Sequence, residues 1–283
     1  MIVHEKFSLT NRYGDPIYGD LRYPQGAQSC PIIVFSHGVK GFKDWGFWPV
    51  MGKHLARIGI ASIAFNYSLN GFGADGLAEF ARPDLFEQNT FSREVDDLDD
   101  VFRAIQSGIL AQGVADPTRI GLIGHSRGGG IAIIRTSEDH AVKALTTWNA
   151  VGDFYRRFTP QMIADWETKG YTEIRNDRTG EILHMGRGLY DDAMAHQDRL
   201  NISACASRIM CPWLIAHAED DNVVPMLNAD LLASSATILV ERFTGSGQHT
   251  FGAAHPMPDP FPDALMALLE RTTTFFQTHL FPA

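Results

Sequence analysis

Residues 120–130 read Ile-Gly-Leu-Ile-Gly-His-Ser-Arg-Gly-Gly-Gly, an apolar run that stops at Gly124-His125-Ser126-Arg127-Gly128 and continues into helix-compatible residues. A G-x-S-x-G turn between strand and helix strains the backbone of the serine, while the glycines two positions either side let strand and helix approach. The Ser126 hydroxyl is then raised above a sheet, at a helix N-terminus where backbone N–H groups can stabilise an oxyanion. The bare pattern also arises in flexible loops, so the flanking strand and helix signals give it its meaning.

A serine hydroxyl is a poor nucleophile unless a histidine takes its proton and a carboxylate orients that histidine. Both partners occur downstream. The run Cys211 to Ala218 reads as a buried strand and is followed by Glu219-Asp220-Asp221-Asn222-Val223-Val224-Pro225. Thr237 to Phe243 reads as another strand, leading into Thr244-Gly245-Ser246-Gly247-Gln248-His249-Thr250-Phe251. Among the histidines only His249 follows the last strand in a glycine-rich loop. Glu219, Asp220 and Asp221 compete for the acid, and Asp153, just past the strand Val142 to Trp148, is a weaker fourth candidate.

Serine, then acid, then histidine is the chain order of the α/β-hydrolases, which the sequence resembles from about Pro31 to Leu280. The resemblance selects Asp221, which stands where that pattern places its acid, before a Val-Pro helix entry; Asp220 and Glu219 are then loop or cap groups. It also assigns the segment Pro31 to Val39, a buried strand running into a His-Gly turn, to the oxyanion loop. The backbone N–H groups of Val39 and Arg127 would hold the oxyanion, and His37 would stabilise the turn. The loop lacks the triple glycine of many lipases and carboxylesterases. An insertion between Trp148 and Cys211 with a helix and a small hairpin resembles the caps of small bacterial cinnamoyl and feruloyl esterases, dienelactone-hydrolase-like proteins and related hydrolases that carry a segment similar to Ser36-His37-Gly38-Val39-Lys40-Gly41-Phe42-Lys43-Asp44-Trp45.

The fold expected is α/β: an α/β-hydrolase sheet of eight mostly parallel strands flanked by helices, with a small cap inserted between strands 6 and 7. Strands alternating with helical patterns predict such a sheet. Residues near 3–9 and 17–23, joined across Asn11 to Pro16, read as an antiparallel edge. Trp48 to Ile58 reads as a helix before the strand Ile60 to Tyr67, and a last helix runs from about Pro262 to Leu280. Ser92 to Gln106 places Val95, Leu98, Phe102 and Ile105 on one helical face, with Glu94, Asp96, Asp97, Asp99 and Asp100 largely opposite. That acidic run is most simply a solvated face.

Residues 1–151 and 208–283 are expected to form the core and 152–207 the cap. Within the cap, Thr159-Pro160 starts a helix that Lys169-Gly170 ends, and Tyr171 to Ile174 with Ile182 to Met185 suggest a hairpin turning through Asn176 to Gly180. Such an insertion overlies the C-terminal ends of the strands, where open α/β sheets bind ligands. Among Trp45, Phe47, Trp48 and the later aromatics, Trp148, Phe154, Trp166, Tyr171 and Phe251 are the candidates to line a substrate pocket. Lys40, Lys43, Arg156 and Arg157 could meet an anionic group, although solvated surface is the simpler reading of each.

At 283 residues and 45% hydrophobic, the chain can bury a large core. It shows no signal-like leader and no run near the roughly 18 apolar residues that span a bilayer, so a cytoplasmic location is expected. Cys30, Cys205 and Cys211 lack metal-ligand spacing and read as buried free thiols. A formal charge of −9 without a basic stripe argues against nucleic-acid binding. No metal or cofactor is implied. The expected activity is hydrolysis of a small-to-medium carboxylic ester through an acyl-enzyme; small amide or peptide hydrolysis, carbon–carbon bond hydrolysis, or a non-catalytic binding role on the same fold are the alternatives.

Overall fold

The computed structural model describes residues 1–74 and 79–281. Its main sheet contains β1 (Ile2–Thr10), β2 (Pro16–Pro24), β3 (Cys30–Ser36), β4 (Ala61–Phe65), β5 (Ala115–His125), β6 (Val142–Trp148), β9 (Trp213–Ala218) and β10 (Glu241–Gly245), in the order β1-β2-β4-β3-β5-β6-β9-β10. β1 and β2 form the antiparallel edge, β2 runs antiparallel to β4, and every other pairing is parallel. The central strands β3, β4 and β9 are buried along their whole length, as continuous apolar runs covered on both faces must be. One face packs against α1 (Phe47–Arg57) and α9 (Asp263–Leu280), the other against α2 (Pro83–Gln88), α3 (Phe91–Gln106), α4 (Arg127–Glu138) and α8 (Leu227–Ser235). No helix among the described residues is long and apolar enough to cross a membrane.

Between β6 and β9 the chain leaves the sheet. It forms a 3-10 turn at Tyr155–Arg157, α5 (Pro160–Lys169), the hairpin β7 (Tyr171–Arg175) and β8 (Ile182–Gly186), then α6 (Gly188–Ala195) and α7 (Ile202–Ala206). The start of α5 is encoded locally: the Thr159 hydroxyl accepts the Met162 N–H at 3.2 Å and Pro160 occupies the first turn. Its end is Gly170 at φ 81°, a left-handed conformation that glycine adopts without steric penalty.

Three expectations need correction. The strand expected over 237–243 is displaced to Glu241–Gly245, because Thr237 to Val240 lead into the sheet without pairing in it. Lys43 is not solvated: its ammonium is buried between Asp20 at 3.0 Å and Asp44 at 2.5 Å. The acidic run of α3 is not a solvated face either, since Glu94, Asp96, Asp97 and Asp99 are each less than a tenth exposed. Their partners come from distant parts of the chain. Arg12 in the β1–β2 turn pairs with Asp96, Asp99 and Asp100; Arg199, beyond α6, reaches Asp96 at 2.8 Å; and Arg135 on α4 reaches Asp99 at 3.1 Å. Asn11 and the Ser68 N–H both donate to Asp97 at 2.7 Å, yet burial still raises its carboxyl to about 6.

Candidate active site

Ser126 lies between the end of β5 and the start of α4 with φ 57°, in the left-handed region that non-glycine residues rarely occupy. The flanking glycines are required by contact. A Cβ on Gly124 would stand 2.5 Å from the Gly128 carbonyl oxygen, and one on Gly128 would stand 2.3 Å from that of Ser36. Strand β3 and the elbow are thus packed backbone to backbone, and the Ser36 hydroxyl donates to the Gly128 carbonyl at 2.8 Å.

His249 reaches Ser126 from a loop after β10. Its Nε2 is 2.9 Å from Ser126 Oγ and its Nδ1 is 2.8 Å from Asp221 Oδ2. With the Nδ1–H donated to the carboxylate, Nε2 accepts the hydroxyl proton, which is the tautomer that proton abstraction needs. Asp221 Oδ1 accepts the N–H groups of Val223 at 2.8 Å and Val224 at 2.9 Å. Burial opposes its ionisation, but the His249 hydrogen bond and the two N–H groups outweigh burial and hold the carboxyl below its ordinary pKa. The neighbouring carboxylate of Asp220 accepts the Gly247 and Gln248 N–H groups at 3.3 and 2.9 Å. Asp221 therefore orients the ring while Asp220 shapes the loop. Asp153 accepts the Tyr155 N–H at 2.8 Å and belongs to the 3-10 turn.

Two residues that the sequence reading did not single out fix the His249 backbone. His125 Nε2 donates to the His249 carbonyl at 2.8 Å, and Asn149 Nδ2 donates to the same oxygen at 2.9 Å. The only sequence signals were position: His125 is the variable residue inside the elbow, and Asn149 directly follows β6. Burial is the main cause that pushes His125 down to about 3 and His37 to about 4, so both are neutral donors at neutral pH. His37 Nδ1 donates to the Gly38 carbonyl at 2.9 Å, and its Nε2 accepts from Asn70 at 3.2 Å. That fixes the turn carrying Val39. Among the described residues the N–H groups of Val39 and Arg127 have no acceptor within the protein.

The site opens into a cavity of about 620 Å³. Core residues Val39, Trp45, Phe47, Trp48, Ser126 and His249 line one side; Phe154, Phe158, Met162, Ile174, Met185 and Leu189 from the insertion line the other. Of the five aromatics expected there, Phe154 contributes and the others do not. Trp148 is stacked on Trp48 at 5.6 Å with its Nε1–H on Thr272, and Phe251 is fully buried below the histidine loop. Trp166 donates to the Met185 carbonyl at 2.8 Å, joining α5 to β8, and Tyr171 stacks on His184 at 3.8 Å. Each of these four is consumed by packing. Phe91, Phe158, Met162, Met185 and Leu189 take their place, brought together by contacts that no local sequence pattern marks.

Sheet order, the strained serine after β5 and the position of the insertion define the α/β-hydrolase fold. The structure is similar to a hydrolase-like protein from Agrobacterium vitis S4, with TM-score 0.75 and 20% identity, covering 99% of this chain and 100% of that one. It is also similar to Est1E from Butyrivibrio proteoclasticus solved with ferulic acid bound, with TM-score 0.71 and 19% identity, covering 96% and 98%. No family model matches the sequence. Protein PA2218 of Pseudomonas aeruginosa is 26% identical over 196 residues, which take in 68% of this chain and 47%, about half, of that relative's length.

Proposed function

We propose that the protein is a serine hydrolase that cleaves a small-to-medium carboxylic ester through an acyl-enzyme. The observation that carries the proposal is the continuous hydrogen-bonded chain Ser126–His249–Asp221 opening into a largely apolar cavity. Ser126 Oγ attacks the ester carbonyl as its proton passes to His249 Nε2, and Asp221 stabilises the imidazolium. The negative charge on the carbonyl oxygen falls to the Val39 and Arg127 N–H groups, which are otherwise unengaged. Collapse transfers the proton from His249 to the departing alkoxide. Water, activated by the same histidine, then hydrolyses the acyl-serine and restores the enzyme.

Residues 152–207 act in this reading as a cap that sets specificity without supplying a triad member. Its support is the cavity wall, a large part of which comes from the insertion. The ferulic acid held by Est1E is consistent with an aromatic acyl group, which the rings of Phe91, Phe154 and Phe158 would suit. The test is a fluorophosphonate probe together with para-nitrophenyl esters from acetate to octanoate and cinnamate. Stoichiometric labelling of Ser126 and saturable turnover of at least one ester are expected; a folded protein that takes no label and turns over no ester overturns the proposal.

A further inference from the structure

The charge around the cavity runs against that of the chain. The protein carries a formal −9, yet the charged side chains lining the cavity are Lys40, Arg127, Arg157 and Arg178 against Glu173 and Asp177. A cleft lined by an excess of one sign concentrates ligands of the other. Two of the four cations are already engaged. Arg127 pairs with buried Glu94 at 3.2 Å, and Arg178 lies over the rings of Phe42 and Phe72 and interacts with Glu181.

Lys40 and Arg157 differ. Lys40 directly follows Val39 and has φ 59°, and its ammonium donates to the Arg175 carbonyl at 2.8 Å. The carboxylate beside it, Asp177, is 3.8 Å away on a side chain 86% exposed, where water screens the pair strongly. Desolvation lowers the Lys40 pKa, a penalty that an added anion would relieve. Arg157 donates one N–H to the Val223 carbonyl at 2.7 Å, and among the described residues no carboxylate lies within ion-pair distance of it. A guanidinium carries five N–H donors, so most of this one remains available while the Val223 contact keeps it at the cavity wall. Both cations line the cavity that holds Ser126, Lys40 next to the oxyanion loop and Arg157 tied to the loop that follows Asp221.

Resting on the ester-hydrolase reading above, we propose that the preferred substrate carries a carboxylate in addition to its ester, held by Arg157 and Lys40 while the apolar part fills the aromatic wall. Charge-assisted hydrogen bonds to a planar carboxylate are the strongest that these donors can make. A neutral ester leaves Arg157 without a counterion and Lys40 with only the solvent-screened Asp177. The carboxylate can sit on the acyl or the alcohol half, and matched substrates separate the two.

Two pairs serve: mono-para-nitrophenyl succinate against para-nitrophenyl butyrate, and para-carboxyphenyl butyrate against para-carbamoylphenyl butyrate. The anionic member of one pair should be favoured about tenfold in kcat/KM, in keeping with charged hydrogen bonds. Arg157→Gln and Lys40→Gln should each reduce that ratio several-fold, and raising salt from about 0.05 to about 0.5 M should shrink it in the parent. Preference for the neutral member of both pairs, or parental ratios in both variants, overturns the inference. Binding of the same esters to Ser126→Ala protein, followed by calorimetry, separates this inference from the hydrolase reading. If no ester turns over, tighter binding of an anionic member that is lost on adding Arg157→Gln still supports the carboxylate site, and equal binding refutes it.

Discussion

The side-chain amide of Asn149 donates to the His249 carbonyl oxygen at 2.9 Å, while its own oxygen accepts the Ala218 N–H at 2.7 Å. One buried residue just past β6 therefore ties the histidine loop to the strand that leads into Asp221. Asn149 has φ 45°, so glycine there removes the amide without adding strain. Asn149→Gly is expected to lower kcat about tenfold or more with a smaller change in KM, since sub-ångström misplacement of a catalytic group is costly. Steady-state kinetics at matched folded fraction check this, and an unchanged kcat would remove Asn149 from the positioning of His249.

Ser126→Ala should reduce turnover to below about a thousandth of the parent while the protein stays folded. Asp221→Asn should damage kcat more than Asp220→Asn, because one carboxylate contacts the ring and the other only loop N–H groups. A reversed order in parallel assays would reassign the acid.

Specificity is expected to follow the residues that face the cavity. Phe158→Ala or Met162→Ala should shift relative kcat/KM toward bulkier acyl groups by about tenfold, as differential pocket contacts are worth about 1 to 3 kcal/mol. Trp166→Ala should instead destabilise the fold by about 3 kcal/mol, because it empties a buried site and strands the Met185 carbonyl. An acyl-chain series and urea unfolding on each variant distinguish the two classes. A Trp166→Ala protein of parental stability with altered preference would contradict this division.

Stability should fall on the acid side of neutrality. An unfolded histidine binds its proton near pH 6.5, whereas folded His37 and His125 refuse it until about 4 and about 3. Their contribution is present in full above pH 6.5 and lost as pH falls toward the folded values, at up to about 1.4 kcal/mol per pH unit for each histidine. His125→Gln keeps a donor for the His249 carbonyl and lacks the titration, so its stability should decline less steeply from pH 6.5 to 4. Urea unfolding across that range decides it; identical slopes in parent and variant would show that His125 is protonated in the fold.

What could be read from the sequence was whatever is carried by neighbours in the chain. The buried runs of β3, β5 and β6, the elbow glycines, the Thr159 cap and the Gly170 stop all act over a few residues, and the structure places them within a residue or two of where their patterns fall, except that β5 begins at Ala115, five residues ahead of its apolar run. The apolar stripe of α3 was equally legible. Its acidic side was misread because Arg12, Arg135 and Arg199 are remote in sequence, and only the assembled layers turn a charged helix face into an interior one. Pocket composition failed for a related reason. An aromatic ring in the insertion has equal local credentials for packing or for substrate contact, and Trp166 and Phe154 were separated only by which way their elements face.

The buried carboxylate row of α3 bears on how the molecule comes apart. Arg12 enters it from the first hairpin, Arg135 from α4, and Arg199 from the far end of the insertion. Peeling away any one of these segments removes a cation from acids already out of water, a loss that buried pairs tolerate poorly. The row therefore acts as a lock on cooperativity: the terminal hairpin, the helical layer and the end of the insertion should melt in one transition, with little tolerance for trimming the chain at its start. Any opening that admits substrate is left to the stretch between the Tyr155–Arg157 turn and β8, whose hold on the loops around Ser126 includes two slender ties, Lys40 to Arg175 and Arg157 to Val223.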